Sequence, residues 1–207
     1  MRAAGVASLM LALALALPAA AHERARSRTG APRHWVERQL TYRVVESPEL
    51  PSLREATAEA LRVWQAPCAS MTFREARDDE VPDLIIQRAD PEDWQHPATQ
   101  GAWTDVEDGE SRTGVIQRAA ITLNGAFVFS ESFLDSRGAP AKIATLDLVG
   151  ILAHEFGHAL GLAHSLQRGA LMHLGVKPGK PLPKSLTEDD RKLFCLLYPK
   201  EVEKQAR

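Results

Sequence analysis

The sequence has little cysteine, no excess of charge of either sign and no long apolar run outside its first residues. The formal net charge of −2 comes from 25 lysines and arginines scattered among 27 aspartates and glutamates. Because phosphate binding requires a basic face, this balance excludes nucleic acid as an expected partner. The 207-residue length and the hydrophobic content of 44% are typical of one globular domain. We expect a single catalytic or binding domain that is a monomer.

The one apolar run lies at the N-terminus. Arg2 precedes a mostly apolar stretch at residues 6–17, which is followed by Pro18 and three alanines ending at Ala21. A membrane-spanning helix needs about 20 apolar residues, so this run is too short for one. It is typical of a secretory signal peptide at residues 1–21, cleaved after Ala21. No cysteine lies near that point, so we expect no membrane anchor and a protein secreted to the periplasm or the extracellular space.

Only two cysteines are present, Cys68 and Cys195. In an oxidising compartment an even count favours one disulfide, which would join the first half of the chain to its last helix. Two separate buried thiols are the alternative. Removing such a bridge typically costs about 2–5 kcal/mol, so its role would be stability rather than chemistry.

Hydrophobic periodicity predicts strands first and helices later. Strands are predicted at LTYRVV, MTFREA, DLIIQRA and VIQRAAITLN, and a first helix over residues 52–65. Residues 22–34 are expected to be a flexible tail and residues 90–114 a long surface loop, because both lack periodicity. A strong helix follows Thr145, its predicted N-cap, and the last helix is expected to begin near SLTEDD. This order indicates an α+β, or mixed α/β, domain.

Three histidines lie close together in HEFGHALGLAHS, residues 154–165. His154 and His158 are four positions apart, so on a helix they lie on one face and could bind one ion. On a continued helix His164 would lie about 9 Å further along, too far for zinc, which needs nitrogen ligands at about 2.0–2.1 Å. Gly161 can adopt the left-handed conformation that ends helices and so return His164 to the others. The spacing therefore predicts one zinc site.

The same helix geometry predicts the position of the Glu155 carboxylate. A step of about 100° around the helix moves it off the ligand face but leaves its carboxylate near the open fourth position of the metal, where a catalytic base is needed. The alternative is an alanine-rich core helix with incidental histidines, but five specified residues in this order are rare by chance. The pattern therefore indicates a zinc-dependent hydrolase, with a non-catalytic secreted zinc-binding module as the competing class.

The motif HExxHxxGxxH at residues 154–164 resembles that of the metzincin zinc endopeptidases, and Ser165 after it is similar to the matrixins, the matrix metalloproteinase branch. LTYRVV, VWQ, DLIIQRAD, ITLN and SLTEDDRKLFCLLYP also look like matrixin counterparts in order. The resemblance covers residues 35–199 and leaves a C-terminal tail at 200–207. It implies a zincin-like metzincin catalytic domain, in which a twisted, mostly parallel sheet covers an active-site helix and a C-terminal helix closes the fold.

The resemblance also implies roles for further residues. Met172 would form a methionine turn beneath the metal. Asp189 and Asp190 match the matrixin acid pair that buttresses this turn, although first-turn carboxylates favoured by the helix dipole are the alternative. The substrate would be an extended polypeptide bound to the edge strand of the sheet. The enzyme would either cleave many polypeptides or act on one specific partner protein.

Two departures from the family have consequences. No cysteine precedes Cys68, so we expect no latency through a pro-segment cysteine, and the resemblance is to a bacterial-type secreted form. Calcium stays open as a second cofactor, with solvated acids as the alternative. Its candidate ligands lie in one acidic stretch: Asp105, Glu107, Asp108 and Glu110.

Overall fold

The computed structural model of the chain describes residues 22–65, 69–109, 112–130, 145–175 and 179–200. The predicted signal peptide, residues 201–207 of the predicted C-terminal tail, and Cys68 lie outside these residues. The elements are β1 (His22–Arg24), β2 (Gln39–Val44), α1 (Leu53–Val63), β3 (Thr72–Glu75), β4 (Leu84–Ala89), β5 (Ala102–Asp108), β6 (Ile116–Asn124), β7 (Phe129–Ser130), β8 (Leu146–Asp147), α2 (Leu148–Ala159), β9 (Leu162–Ser165) and α3 (Glu188–Leu197).

Five strands form one sheet in the order β3-β2-β4-β6-β5. Neighbours are parallel except β5, which is antiparallel to β6 and lies at the edge. Leu84 and Ile86 of β4 and Ile121 and Leu123 of β6 are fully buried, as expected of central strands covered by helices. Helix α2 contacts both β5 and β6, and α1 lies against α2. The predicted mixed α/β fold, with a mostly parallel sheet and a closing C-terminal helix, is therefore confirmed.

Helix α2 begins at Asp147 rather than at the predicted cap, Thr145. The Asp147 carboxylate accepts a hydrogen bond from the Gly150 N–H at 3.0 Å, and its second oxygen accepts one from the Leu182 N–H at 3.0 Å. A carboxylate can accept both bonds and also complements the positive end of the helix. Thr145 lies before the short strand β8 and so precedes the helix by too many residues to cap it.

Helix α2 ends inside the protein because buried aromatic donors bind its last carbonyls. The Trp35 indole N–H donates to the Ala159 carbonyl at 2.8 Å, and the Tyr198 hydroxyl donates to the Leu160 carbonyl at 2.7 Å. Terminal helix carbonyls have no intrahelical partners, so these two bonds permit an abrupt turn there. The helix has 12 residues, and no helix in the described ranges is long and apolar enough to cross a bilayer.

The prediction of a surface loop over residues 90–114 is wrong in its second half, which contains β5. Two acidic residues of this strand, Asp105 and Glu107, are exposed on the side away from the core. Charged side chains are common on edge strands because they oppose pairing with other chains. They also mask the alternation by which strands are recognised in a sequence.

The prediction of a flexible tail over residues 22–34 is also wrong, and we call this segment the N-terminal arm. Its first residues, β1, pair antiparallel with β9, and the Ala25 N–H donates to the Gly161 carbonyl at 2.9 Å. Two nitrogens of the Arg33 guanidinium donate to the two carboxylate oxygens of Asp108 at 2.8 and 2.9 Å. The arm is thus ordered by contacts with distant segments, which leave no local pattern in its own sequence.

Candidate metal centre

The three histidines of the motif lie together where α2 gives way to β9. His154 and His158 are one turn apart on α2, and the reversal after the helix brings His164 on β9 back to them. Gly161 makes this reversal with a φ of +88°, a conformation that strains residues with a Cβ. A Cβ at Gly161 would also lie 2.4 Å from the Arg33 carbonyl oxygen, so the turn and the N-terminal arm fit only around glycine.

Backbone carbonyls fix the ring orientation of two of the histidines. The Nδ1 of His154 lies 2.7 Å from the Leu171 carbonyl oxygen, and the Nδ1 of His158 lies 2.9 Å from the Leu162 carbonyl oxygen. A carbonyl only accepts, so each Nδ1 must carry the proton, and each Nε2 is the nitrogen that can bind a metal. This arrangement of a backbone acceptor behind an imidazole is usual for metal ligands.

The ring nitrogens converge at a spacing that suits a tetrahedral ion. The Nε2 atoms of His158 and His164 are 3.1 Å apart, and one ligand nitrogen from each of the three histidines lies within 4.8 Å of the others. Two ligands at about 2.05 Å from a tetrahedral zinc are about 3.3 Å apart, so the distance between the Nε2 atoms of His158 and His164 fits. Within the described ranges no fourth His, Cys, Asp or Glu joins this group. Three imidazoles with an open position are the ligand set of catalytic rather than structural zinc.

Burial favours the neutral form of the innermost histidine. His154 is only 4% exposed, and this desolvation lowers its pKa to about 4 despite the raising effect of the hydrogen bond to Leu171. At neutral pH the imidazole is therefore neutral, with its proton on Nδ1 and its Nε2 free to bind metal.

Glu155 lies beside the histidines in the cleft and is almost fully buried. Loss of solvent raises the pKa of its carboxyl, and this effect exceeds the lowering by His158 and by a hydrogen bond from Thr104. The Thr104 hydroxyl donates to Glu155 Oε2 at 2.6 Å. A raised pKa brings a carboxyl closer to the neutral range in which general bases and acids are efficient.

Met172 is completely buried. Its sulfur approaches α2 at Gly157, where a Cβ would lie 2.2 Å from Sδ, so the helix needs glycine there. The residue before it, Leu171, provides the carbonyl that orients His154. The segment of Leu171 and Met172 thus contacts His154 through a backbone carbonyl and α2 through the Met172 sulfur.

The two acids of α3 have different environments. Asp190 is fully buried and accepts hydrogen bonds from the N–H groups of Leu171 at 3.0 Å and Met172 at 3.4 Å, and from the Thr187 hydroxyl at 2.7 Å. It therefore both caps its helix and binds the backbone of Leu171 and Met172. Asp189 is half-buried, and its carboxylate makes no hydrogen bond among the described residues.

Among the described residues, the acids expected to bind calcium form no cluster of three or more potential ligands. Asp108 is engaged by Arg33, Asp105 and Glu107 project from the exposed face of β5, and Glu110 is outside the described residues. In the part of the chain that the structure describes, the three histidines are the only group of His, Cys, Asp or Glu close enough to hold an ion. Nothing in this region adds to the sequence-based prediction of calcium.

A cleft of about 480 Å³ lies over the histidines. One wall is the edge strand β5, and the other side includes the N-terminal arm through Ala25 and Arg33. Glu155 and the three histidines line it together with an apolar set: Ala102, Trp103, Val106, Phe127, Leu146, Ile151 and Leu174. The arrangement offers a metal site, a carboxylate and an apolar recess along one exposed strand edge.

Sequence analysis missed three residues that shape this site: Thr104, Gly157 and Leu171. Gly157 could have been recognised, because a glycine inside a helix is costly unless something approaches closely. Leu171 acts through its carbonyl, which no side-chain pattern reveals. Thr104 was hidden because its strand was predicted to be loop.

Comparison with known proteins shows that the chain is similar to matrix metalloproteinases. The profile of the Matrixin peptidase family matches residues 34–199. Matrix metalloproteinase-18 of Xenopus laevis is 30% identical over 170 residues, which make up 80% of this chain and 33% of that protein. Matrix metalloproteinase-23 of Homo sapiens is 34% identical over 174 residues, or 77% of this chain and 42% of that protein.

Stromelysin-1 of Mus musculus is 30% identical over 165 residues, which cover 78% of this chain and 32% of that protein. The chain therefore spans about a third to two-fifths of the length of these curated relatives. The matched region includes His154, His158 and His164, Glu155 beside them, and Met172.

Proposed function

The chain belongs to the matrixin family, and from this membership and the site geometry we propose that it is a zinc-dependent endopeptidase. The observation that carries the proposal is the convergence of His154, His158 and His164 beside the buried carboxylate of Glu155. His154 and His158 are held by backbone carbonyls and would bind the metal through Nε2. A zinc ion held there supplies Lewis-acid chemistry, since it acidifies water and polarises a carbonyl.

Glu155 is the proposed general base. It accepts a proton from the attacking water and passes it to the leaving amine, so that the peptide bond is hydrolysed. Its buried position and raised pKa support this role, because a carboxyl that holds a proton more readily can return it to the amine. The methionine turn at Met172, the turn at Gly161 and the acids Asp189 and Asp190 are proposed as structural support rather than as reacting groups.

The proposed substrate is an extended polypeptide that adds a strand to β5. The Asn124 N–H donates to the Gly101 carbonyl at 2.9 Å, so these two residues form a hydrogen-bonded pair between β6 and the start of β5. Pairing alternates along antiparallel strands, so the peptide groups of Ala102, Thr104 and Val106 are directed away from β6. They can bind a substrate backbone while a substrate side chain enters the apolar recess of the cleft.

Secretion and the disulfide are further parts of the proposal. Cleavage after Ala21 would release the chain at the first residue of the docked N-terminal arm. A backbone bridge joins Ala69 to Pro199, which supports pairing of the preceding Cys68 with Cys195 on α3. Such a bridge would tie the end of α1 to the closing helix.

The test is to purify residues 22–207, measure zinc per protein, and follow cleavage of denatured casein and a quenched-peptide library with and without a chelator. We expect one zinc and chelator-sensitive cleavage. In Glu155→Gln, zinc should remain while turnover falls by about 10²–10⁴-fold, the usual contribution of a general base.

Near-normal turnover in Glu155→Gln would exclude Glu155 as the base. One bound zinc with no cleavage of any peptide by the unmodified protein would contradict the endopeptidase proposal as stated. It would favour a non-catalytic zinc-binding module, or a processing protease limited to one specific partner.

A further inference from the structure

The general base proposed above is in contact with a hydroxyl from the edge strand β5. Thr104 lies in the middle of the edge strand β5, directly across from Ile121 of β6, whereas Glu155 lies on α2. Its Oγ1 lies 2.6 Å from Glu155 Oε2 and 3.2 Å from the Glu155 carbonyl oxygen. The shorter contact involves an ionisable carboxylate, so the hydroxyl proton belongs to it rather than to the carbonyl.

We propose that Thr104 is a positioning residue, whose hydroxyl holds the Glu155 carboxylate in the orientation needed for proton transfer beside the three histidines. This inference rests on the proposed peptidase function. It explains why a threonine occupies the face of β5 that contacts α2, where the flanking residue Ala102 is buried and apolar.

The hydrogen bond restricts one oxygen of the carboxylate and leaves the other for chemistry. Among the described residues Oε1 of Glu155 makes no hydrogen bond, and Glu155 lines the cleft. A glutamate side chain rotates about several bonds, and a base must lie within hydrogen-bond reach of its proton throughout the reaction. An anchor on Oε2 removes most of that freedom, which is preorganisation of the reacting group.

The strand sets the direction of the hydroxyl. Threonine is branched at Cβ and has few favourable χ1 rotamers, and the backbone of β5 is fixed by its ladder with β6. The contact also joins two elements, β5 and α2. Thr104 therefore couples the strand proposed to bind substrate to the residue proposed to act on it.

The decisive variants are Thr104→Val, which keeps the shape but lacks the hydroxyl, and Thr104→Ser, which keeps the hydroxyl. Thr122→Val on β6 is the matched control, because its hydroxyl contacts Gln87 at 3.2 Å. We expect Thr104→Val to lower kcat on a quenched peptide by about 10- to 100-fold, the range for a misplaced reacting group. KM and zinc content should stay within about twofold, Thr104→Ser should retain most of the wild-type kcat, and Thr122→Val should match wild type.

A second readout does not depend on turnover. In crystal structures of the zinc-free proteins, the Glu155 carboxylate should keep its place in wild type and Thr104→Ser and leave it in Thr104→Val. If Thr104→Val fails to fold, Thr104→Ala is used with the same expectations.

A kcat of the valine or alanine variant within twofold of wild type, or an unmoved carboxylate, would overturn the role of Thr104. Equal losses in the serine and valine variants would also overturn it, because they would indicate a packing role. An inactive wild type would instead contradict the peptidase proposal, and the carboxylate position would still decide whether Thr104 anchors Glu155.

Discussion

The segment from Asp147 to Ser165 and the N-terminal arm lie against each other, but their structures are specified in opposite ways. In the first, the start of the helix and the ring of one histidine are fixed by near neighbours: the Gly150 N–H donates to the Asp147 carboxylate, and the His158 ring to the Leu162 carbonyl. In the arm, the contacts that matter join Ala25 to Gly161 and Arg33 to Asp108, which are far apart in sequence. Local contacts leave a pattern that can be recognised in the sequence, whereas distant ones do not.

The comparison also separates two contributions to the cleft. The Asp147–Ser165 segment supplies the reactive groups and is buried at the innermost histidine. The arm supplies a wall, held by backbone bonds and one ion pair. Substitutions in the first region should therefore abolish metal binding or peptide cleavage. Substitutions in the arm should change the free energy of unfolding and the shape of the cleft.

The largest expected effect is the loss of a metal ligand. His164→Ala should lose zinc on dialysis and all chelator-sensitive cleavage, because two imidazoles alone bind zinc weakly. His34→Ala in the arm removes only a contact of Nδ1 with the Pro32 carbonyl, so it should keep both properties. Metal analysis and peptide cleavage check this pair, and stoichiometric zinc in His164→Ala would contradict the three-histidine site.

The next effect is at the point where the two regions meet. Gly161→Ala should cost about 2–4 kcal/mol of unfolding free energy, because the left-handed conformation costs about 1–2 kcal/mol and the Cβ also meets the Arg33 carbonyl. Gly169 has a similar φ of +84° and open space around it, so Gly169→Ala should show only the conformational cost.

Urea unfolding of both alanine variants measures the difference. In a protein that lacks residues 22–33, Gly161→Ala and Gly169→Ala should lower the free energy of unfolding by similar amounts, because the clash at Gly161 is with the arm. If the two variants still differ after the deletion, the extra cost at Gly161 does not come from the clash with Arg33.

The metal-free protein should also lose stability in mild acid. Burial lowers the pKa of His154 to about 4, so between pH 6.5 and 4 the unfolded state binds more protons than the folded state. The free energy of unfolding therefore decreases as the pH is lowered through this range. The His154 contribution between pH 7 and pH 5 is about 2 kcal/mol. Urea unfolding at both pH values tests this, with His154→Gln as the variant that lacks the group; an equal slope in that variant would assign the effect to other residues.

The smallest expected effect is in the arm itself. Arg33 and Asp108 are 25% and 14% exposed, so their ion pair is only partly shielded from water. A double-mutant cycle with Arg33→Met and Asp108→Asn should give a coupling of about 1 kcal/mol or less, reduced by salt. The pair of Arg77 and Asp79 is much more exposed and should give almost none. Equal coupling energies in both pairs would contradict the claim that the ion pair of Arg33 and Asp108 stabilises the arm.

The sequence predicted the parts of the molecule whose causes are local. The helix that carries His154 and His158, the break at Gly161 and the start of α3 near Thr187 follow from spacing, from glycine and from capping residues. The edge strand was missed because its charged face hides the alternation. Thr104 and the Leu171 carbonyl could not be predicted, because their role depends on how separate elements meet.

The most direct test of the central claim is a crystal structure of the zinc-loaded protein with anomalous data at the zinc edge. We predict one strong peak about 2.0–2.1 Å from the Nε2 atoms of His154, His158 and His164, with its fourth position open to the cleft beside Glu155. A peak at another place, or a fourth protein ligand that closes the coordination, would contradict a catalytic zinc site.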